Sequence, residues 1–307
     1  MLNFLKQPNI PFDLHIHSTY SDGNATPKEI MYNAEKLGLK YVSLTDHNNV
    51  DIYAELEKHN NYGFTGQVIT GCEINTVMNG YYIEMLAYDF DLQKFKKWKY
   101  IKKSVIVKNN KKLLKAVIQR VKYLGFKLSK KIIFKNDQGL YYSELYNDIM
   151  KYEENKPLFE KLNVKTYRDF LRKQIMSPSG KLYVLVKNSA PTAKQVCDYV
   201  HKCGGKVVFA HPYYYGSENG TNLIKIALNY NIDGIECAHF SHTPQQINYI
   251  KEVAQKHNLI VTGGSDYHDR PRTLNNKKVK SVLGYLNNAK TNLNTNIFQK
   301  GGIDYLK

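Results

Sequence analysis

The chain has 307 residues, 42% hydrophobic and 23% charged, which suits one large domain or a core with an insertion and excludes an intrinsically disordered protein. Its 44 Lys and Arg against 27 Asp and Glu give a formal net charge of +17, a balance that favours anionic partners. No apolar run is long enough to span a bilayer, the stretch Met1–Phe12 lacks the apolar core of a signal peptide, and the four cysteines (Cys72, Cys197, Cys203, Cys237) form no C-x-x-C; the expectation is a cytoplasmic protein with reduced, buried thiols and no membrane association.

The first ninety residues alternate strand and helix. Phe12-Asp13-Leu14-His15-Ile16-His17 alternates apolar and polar residues, so Asp13, His15 and His17 share one strand face. After a loop over 18–25, Thr26-Pro27-Lys28-Glu29 combines an N-cap, a first-turn proline and a capping-box Glu. Ile30, Met31, Ala34 and Leu37 give the helix that follows an apolar face. A second strand, Tyr41–Leu44, ends in Thr45-Asp46-His47. A third is expected over Val68–Glu73. Asn79-Gly80 signals a two-residue hairpin turn into a fourth strand, Tyr81–Tyr88; that turn puts Glu84 on the sheet face of Glu73.

The pattern resumes near residue 190. Strands are predicted at Lys206–Ala210, Asp233–Cys237 and Leu259–Gly263, and Thr243-Pro244-Gln245-Gln246 opens another helix. About seven strands, most followed by a helix, predict a parallel, TIM-like α/β barrel with its active site at the strand ends. The stretch 92–189 interrupts this pattern with helical periodicity (Leu113, Leu114, Val117, Ile118, Val121, Leu124) and is read as a mostly helical insertion between barrel parts 1–91 and 190–307. From Leu92 to Asn136 it holds 16 Lys and Arg and no Asp or Glu. A compositional bias would spread lysines along the chain, so this segment reads as an anion-facing surface in preference to a merely solvated face. Its aromatics (Phe95, Trp98, Tyr100, Tyr123, Phe126) either build the insertion's own core or stack nucleobases.

His15-x-His17 with Asp22 five residues on is the strongest chemical signal. Two imidazoles on one strand face can grip one ion, and a nearby carboxylate can bridge to a second. The set adds weight. His15, His17, His47, His211 and His268, with Glu73 and Asp266, each sit at or just past a predicted strand end, whereas His59, His201 and His257 lie in helical contexts and read as surface residues. Imidazoles mixed with carboxylates suit Zn, Mn or Fe better than Ca or Mg alone, although Mg remains admissible. The number of ligands points to two or three ions.

Asp13-Leu14-His15-Ile16-His17-Ser18, Ser21-Asp22-Gly23, Thr45-Asp46-His47-Asn48, Gly71-Cys72-Glu73-Ile74, Ala210-His211-Pro212 and Gly264-Ser265-Asp266-Tyr267-His268 together resemble, in order, the motifs of the PHP (polymerase and histidinol phosphatase) family of metal-dependent phosphoesterases. The match covers about residues 12–90 and 190–270. Its spacing is most similar to the branch acting on 3′,5′-nucleotides and short oligoribonucleotides. The resemblance implies a distorted seven-stranded barrel and a trinuclear site held by His15, His17, Asp22, His47, Glu73, His211, Asp266 and His268. It puts the ninth ligand at Glu84, where the family more often has His. It also makes Asp13 and Asp46 acceptors that orient imidazoles. Candidates for holding substrate phosphate are Arg270 and Arg272, just past the last motif, while His239 and His242, which follow the sixth strand, are candidates to face the substrate; the alternative for each is a loop residue with no role. The stretch comparable to the branch's usual phosphate-binding segment is Tyr141-Tyr142-Ser143, which departs from it.

The expected activity is hydrolysis of a phosphate ester by metal-activated water, with phosphorylated nucleotides or short RNA as substrate. Two alternatives stand beside it. One is a small-metabolite phosphomonoesterase of the histidinol phosphatase type, for which the basic insertion is incidental. The other is a noncatalytic nucleic-acid-binding protein with a vestigial site, against which the near-complete ligand set argues.

Overall fold

A computed structural model describes residues 12–132, 142–274, 277–280 and 283–284, with 271–274 and 277–280 described by their backbone. In chain order the first half contains β1 (Phe12–Ile16), α1 (Pro27–Lys36), β2 (Tyr41–Leu44), α2 (Ile52–Lys58), β3 (Gln67–Val68), β4 (Gly71–Met78), β5 (Tyr81–Tyr88), α3 (Leu92–Phe95), α4 (Lys103–Tyr123), α5 (Tyr142–Ile149) and α6 (Lys156–Lys161). The second contains α7 (Ala193–Lys202), β6 (Lys206–Phe209), α8 (Ser217–Ala227), β7 (Gly234–Ala238), α9 (Pro244–Lys256), β8 (Ile260–Gly263), β9 (Pro271–Leu274) and β10 (Lys277–Lys280).

The helix starts follow from local chemistry. The Thr26 hydroxyl accepts from the Glu29 amide while the Glu29 carboxylate accepts from the Thr26 amide. Thr243 and Gln246 repeat this exchange at α9, so two otherwise unpaired amides are satisfied at each end. At the hairpin, Asn79 (φ 48°) and Gly80 (φ 85°) both take positive φ, the requirement of a tight two-residue turn.

The strands form a mixed α/β fold with parallel sheets. One sheet has the order β1-β2-β3, parallel throughout. The other has the order β4-β5-β6-β7-β8, in which β6, β7 and β8 are parallel and β5 is antiparallel to β6. A two-stranded antiparallel pair, β9–β10, stands apart. The expected parallel, TIM-like barrel is thus met in part, as an α/β fold with parallel sheets, and two features differ. The ladders form separate sheets rather than one closed sheet, touching through the isolated bridges Ile16↔Tyr267 and His47↔Glu73. The run of parallel strands is also reversed once, because β5 is the return arm of a hairpin and β6 pairs with it.

The expected third strand is split. β3 ends at Val68 and β4 begins at Gly71. The buried Tyr53 hydroxyl fills the break: it donates to Leu44 O (2.7 Å), lies 3.1 Å from Ile69 O and accepts from the Gly71 amide (2.6 Å). A side chain thus satisfies backbone groups that a continuous ladder would have paired.

Two compact units emerge. Among the described residues, the first comprises those within 12–74, 84–98 and 193–284, and the second those within 75–83 and 99–192. Within the first, Phe12, Leu14, Ile69, Leu86, Tyr88, Val208 and Ala210 form an apolar cluster, and Tyr88 donates to Leu14 O at 2.7 Å. Both faces of β1 are buried. Its apolar face joins this cluster, so its polar face must find partners inside the protein. The second unit has its own core, including Tyr82, Leu113, Val117, Val121, Phe126, Phe159 and Phe170. Among the described residues, no helix is long and apolar enough to cross a membrane. All four cysteines are free and buried.

Gly264 sets how closely the chain after β8 approaches β1. A Cβ there would lie 2.2 Å from His15 Cβ and 2.4 Å from His15 N. Gly264→Ala is expected to destabilise the fold by about 1–3 kcal/mol through overpacking, measured as a lower urea midpoint. An unchanged midpoint would show that the two segments separate freely.

Candidate metal centre

The polar face of β1 points its residues at the ends of other strands. His15 and His17 are fully buried, and their Nε2 atoms stand 3.1 Å apart. Both face the carboxylate of Glu73, which β4 supplies. Glu73 Oε2 lies 3.3 Å from His15 Nε2, 3.1 Å from His17 Nε2 and 3.2 Å from His47 Nδ1. Its other oxygen lies 3.0 Å from His211 Nε2. One side chain, 1% exposed, thus gathers four imidazoles from three separate stretches of sequence.

Further carboxylates surround this hub. Asp266 Oδ1 lies 3.4 Å from His17 Nε2 and 3.4 Å from His268 Nδ1. Asp22 Oδ1 lies 3.0 Å from His268 Nε2 and 3.8 Å from His47 Nε2. Glu84 Oε2 is 3.7 Å from His211 Nε2. The Tyr215 hydroxyl holds Glu84 from two sides, donating to its Oε2 (2.9 Å) and accepting from its amide (2.8 Å). All nine expected ligands therefore share one cluster within the first unit. Two of them, His211 (φ 26°) and Asp266 (φ 51°), occupy left-handed backbone, a strain that proteins retain mainly where geometry is functional.

The charges shape one another. Burial disfavours the imidazolium of His15, but Glu236, Glu73 and Asp266 outweigh it and raise its pKa well above the ordinary value. His17 likewise is raised to about 9 against the effect of burial, by Asp266, Glu73 and Asp22. Burial would raise Glu73 and Asp22, yet the surrounding histidines hold both carboxyls well below their usual range.

The donor set fits divalent cations. Four overlapping groups each offer ligand atoms within 4.8 Å of one another: His17, Asp22, His47 and His268; His15, His17 and Asp266; His15, His211 and Glu236; and His47, Glu73 and Glu84. His47 Nδ1 and His211 Nδ1 are buried without a hydrogen bond, a costly state for a nitrogen lone pair unless a ligand satisfies it. Imidazole and carboxylate together suit borderline ions.

The remaining expected residues fall in distinct places. The Asp13 carboxylate accepts from the amides of His15 (3.3 Å), Ser265 (2.9 Å) and Gly284 (2.8 Å) and from the Ser265 hydroxyl (2.5 Å). It ties backbone segments together rather than bonding an imidazole. Asp46 accepts from Ser18 N, Ser18 Oγ and Ser21 Oγ, which fixes the loop that carries Asp22. Burial pushes the carboxyls of both Asp13 and Asp46 up. His239 is 1% exposed, with Nε2 3.4 Å from Asp266 Oδ2 and Nδ1 2.7 Å from Ser241 Oγ. His242 is also buried; its Nδ1 bonds Cys237 O at 2.9 Å, and burial lowers its pKa to about 3. Arg270 reaches Asp22 Oδ2 at 2.5 Å and is partly exposed. The side chain of Arg272 lies outside the described residues, as does Tyr141. Of the histidines expected at the surface, His59 and His257 are exposed and His201 pairs with Asp233 at 2.6 Å.

Sequence reasoning missed Glu236. It is fully buried in β7, accepts or shares a proton with His15 Nδ1 at 2.9 Å, and accepts from the His211 amide at 2.7 Å. The available signal was a lone carboxylate inside the otherwise apolar strand Gly234–Ala238. Tyr215 was missed as well, and nothing in its local sequence marks it.

The PHP domain family model matches residues 13–242. The 5′-3′ exoribonuclease Rnm of Escherichia coli K12 is 24% identical over 260 residues, covering 84% of this chain and 85% of that protein. The 3′,5′-nucleoside bisphosphate phosphatase of Chromobacterium violaceum is 24% identical over 264 residues, covering 83% of this chain and 86% of that one. Among solved structures, a Bifidobacterium adolescentis protein described provisionally as a metal-dependent phosphoesterase shares the fold with a TM-score of 0.60 at 23% identity, covering 90% of this chain and 94% of its own. The chain belongs to the PHP domain family. As such it is an enzyme, a metal-dependent phosphoesterase.

At pH 7 the metal-free His15–His17 pair holds at least one proton, since both rings titrate above their ordinary range. Ligation needs unprotonated nitrogen, so metal uptake at pH 7 is expected to release protons, and the release should shrink as pH rises through about 9, where His17 loses its proton unaided. Calorimetry in buffers of different ionisation enthalpy measures this; uptake without proton release at pH 7 would contradict it. Glu236→Gln removes the charge that orients His15, and should weaken metal affinity by roughly 10- to 100-fold with the fold retained, read by competition against a chelator. Equal affinity would remove Glu236 from the centre.

Proposed function

We propose that this chain hydrolyses phosphate esters of 3′,5′-nucleotides or short oligoribonucleotides. The observation that carries the reading is the convergence of His15, His17, His47 and His211 on the single buried carboxylate of Glu73. We assign the ligands as His15, His17, Asp22, His47, Glu73, Glu84, His211, Asp266 and His268, holding two to three ions. Manganese, zinc or iron suit this donor set. Divalent ions bound there would supply Lewis acidity toward a phosphoryl oxygen and make a water nucleophilic near neutral pH.

The protein's own residues then have separable tasks. Glu73, with both oxygens engaged by different histidines, fixes the spacing between neighbouring ligand groups. Glu236 and Tyr215 hold His15 and Glu84 in place from outside the ligand set. Arg270, partly exposed beside Asp22, is placed to meet a phosphoryl oxygen with a planar, bidentate cation. His239 lies against Asp266 with its ring pKa depressed by burial, so it stays neutral and lines the Asp266 side of the site. In this reading β1, β2, β4, β5, β6, β7 and β8 act as a distorted seven-stranded barrel; the bridges Ile16↔Tyr267 and His47↔Glu73 support it by linking the two sheets at both seams. Segments 1–91 and 190–307 then carry the chemistry and 92–189 forms the insertion, a division that departs from the two compact units in that 92–98 belong to the first and 75–83 to the second. Four free, buried thiols are in keeping with a cytoplasmic setting.

A substrate panel on metal-loaded protein tests the reading. A 3′,5′-bisphosphorylated nucleoside or short 5′-phosphorylated RNA should be turned over in preference to histidinol phosphate. Turnover of histidinol phosphate alone would assign a small-metabolite phosphatase instead. His17→Ala should lower kcat by at least about 100-fold while circular dichroism is unchanged, because a catalytic metal loses a ligand; wild-type rates in that variant would end the metal mechanism.

A further inference from the structure

Helix α4 carries a charge arrangement that helix stability alone disfavours. Lys108, Lys111, Lys112, Lys115, Gln119 and Lys122 recur at three- and four-residue spacing and are all exposed, so they form one stripe along the helix. The other face, through Leu113, Leu114, Val117 and Val121, is buried in the core of the second unit. Lys108/Lys112 and Lys111/Lys115 are like charges at i,i+4, which weaken a helix. Lys103 opens the helix at its positive end, which is also unfavourable.

These lysines have no carboxylate partner among the described residues, whereas others in the same unit do: Lys127 with Glu154, Lys151 with Asp148, Lys156 with Glu153 and Lys173 with Asp169. Along the helix itself no partner is offered, since α4 contains no Asp or Glu at any position. A second, independent feature ends the same stripe. Tyr123 is 79% exposed, and the Arg120 guanidinium lies over its ring at 5.3 Å. Phe95, Trp98, Tyr100 and Phe126, the neighbouring aromatics, are all buried. An exposed aromatic among unpaired cations is the composition that binds single-stranded nucleic acid, where cations track the backbone and rings stack bases.

We propose that the α4 stripe binds the phosphodiester backbone of single-stranded RNA, with Tyr123 stacking on a base. The inference rests on the phosphoesterase reading for the class of polymer. Lysine ammoniums act as point charges, so recognition is independent of sequence. The stripe spans ~21 Å along the axis at 1.5 Å per residue, enough for several nucleotides. A lipid surface fits less well, because the apolar face an interfacial helix would insert is already buried in the core.

The test uses the full chain and a 12-nucleotide phosphorothioate RNA, which resists hydrolysis, followed by fluorescence anisotropy across salt concentrations. In the variant Lys108→Ala/Lys112→Ala/Lys115→Ala/Lys122→Ala, alanine preserves helix propensity. Its Kd should rise by tenfold or more, and its log–log salt slope should flatten by about 3, at roughly 0.7 for each phosphate no longer neutralised. Tyr123→Ala should weaken binding about fivefold or more with the slope unchanged, as loss of stacking requires. Wild-type affinity and slope in the quadruple variant would overturn the proposal, as would tighter binding of wild-type protein to phosphatidylserine vesicles than to RNA. Loss of RNA binding only in the variant, with no phosphate ester turned over by metal-loaded wild type, would support the stripe and sink the phosphoesterase reading. Turnover of nucleotides by a wild type that does not bind the 12-mer would do the reverse.

Discussion

A carboxylate buried to 1% exposure is expensive unless cations meet it, and Glu73 is met by four imidazoles. This constraint organises the first unit. The imidazoles come from strand ends and the loops after them, so β1, β2 and β6 must place their ends at one locus to within hydrogen-bond distance. The imidazoles in turn lie close enough to one another, 3.1 Å between His15 and His17 Nε2, that only shared protons or cations relieve their crowding. Ion binding is thereby coupled to proton release, because the imidazoles that Glu73 holds protonated must give up those protons before they can ligate a cation.

The surrounding structure serves that locus. Glu236 and Asp46 do not face outward as spare acids; one fixes the far nitrogen of His15 and the other fixes the turn that delivers Asp22. Asp13 ties β1 to the segment after β8 through Ser265, and Gly264 permits that approach. Left-handed backbone at His211 and Asp266 is the strain accepted where a strand must end and turn its last side chain inward. The second unit is built differently. Its helices bury an apolar core of their own, and its charges are segregated, with acids paired in the later helices and α4 left wholly basic.

Much of the centre was legible beforehand because its residues carry local marks. H-x-H on an alternating strand, Asp-His just past a strand and Ser-Asp-Tyr-His at a strand end are unusual placements for polar groups, and all nine expected ligands meet in one cluster. The Asn79-Gly80 turn, with both residues at positive φ, put Glu84 on the sheet face of Glu73, and only the family resemblance made it a ligand. Glu236 was passed over because a single Glu in an apolar strand looks the same whether it is buried against a histidine or lies at an edge. Asp13 was assigned to the imidazoles, yet its bonds run to backbone amides that approach it from residues 265 and 284, contacts that no local pattern encodes.

The sequence by itself determined the helix caps, the hairpin turn, the alternation of β1 and the one-sided charge of α4, since each depends on residues a few positions apart. Tertiary structure decided the break between β3 and β4, where the Tyr53 hydroxyl replaces ladder bonds. It also decided the antiparallel seam between β5 and β6, the separation of the sheets, and the partners of Glu236 and Asp13. Strand pairing and the burial of a polar group depend on segments up to 271 positions apart, as for Asp13 and Gly284. Such contacts are chosen by the packing of the whole unit, so neither propensity nor spacing along the chain can announce them.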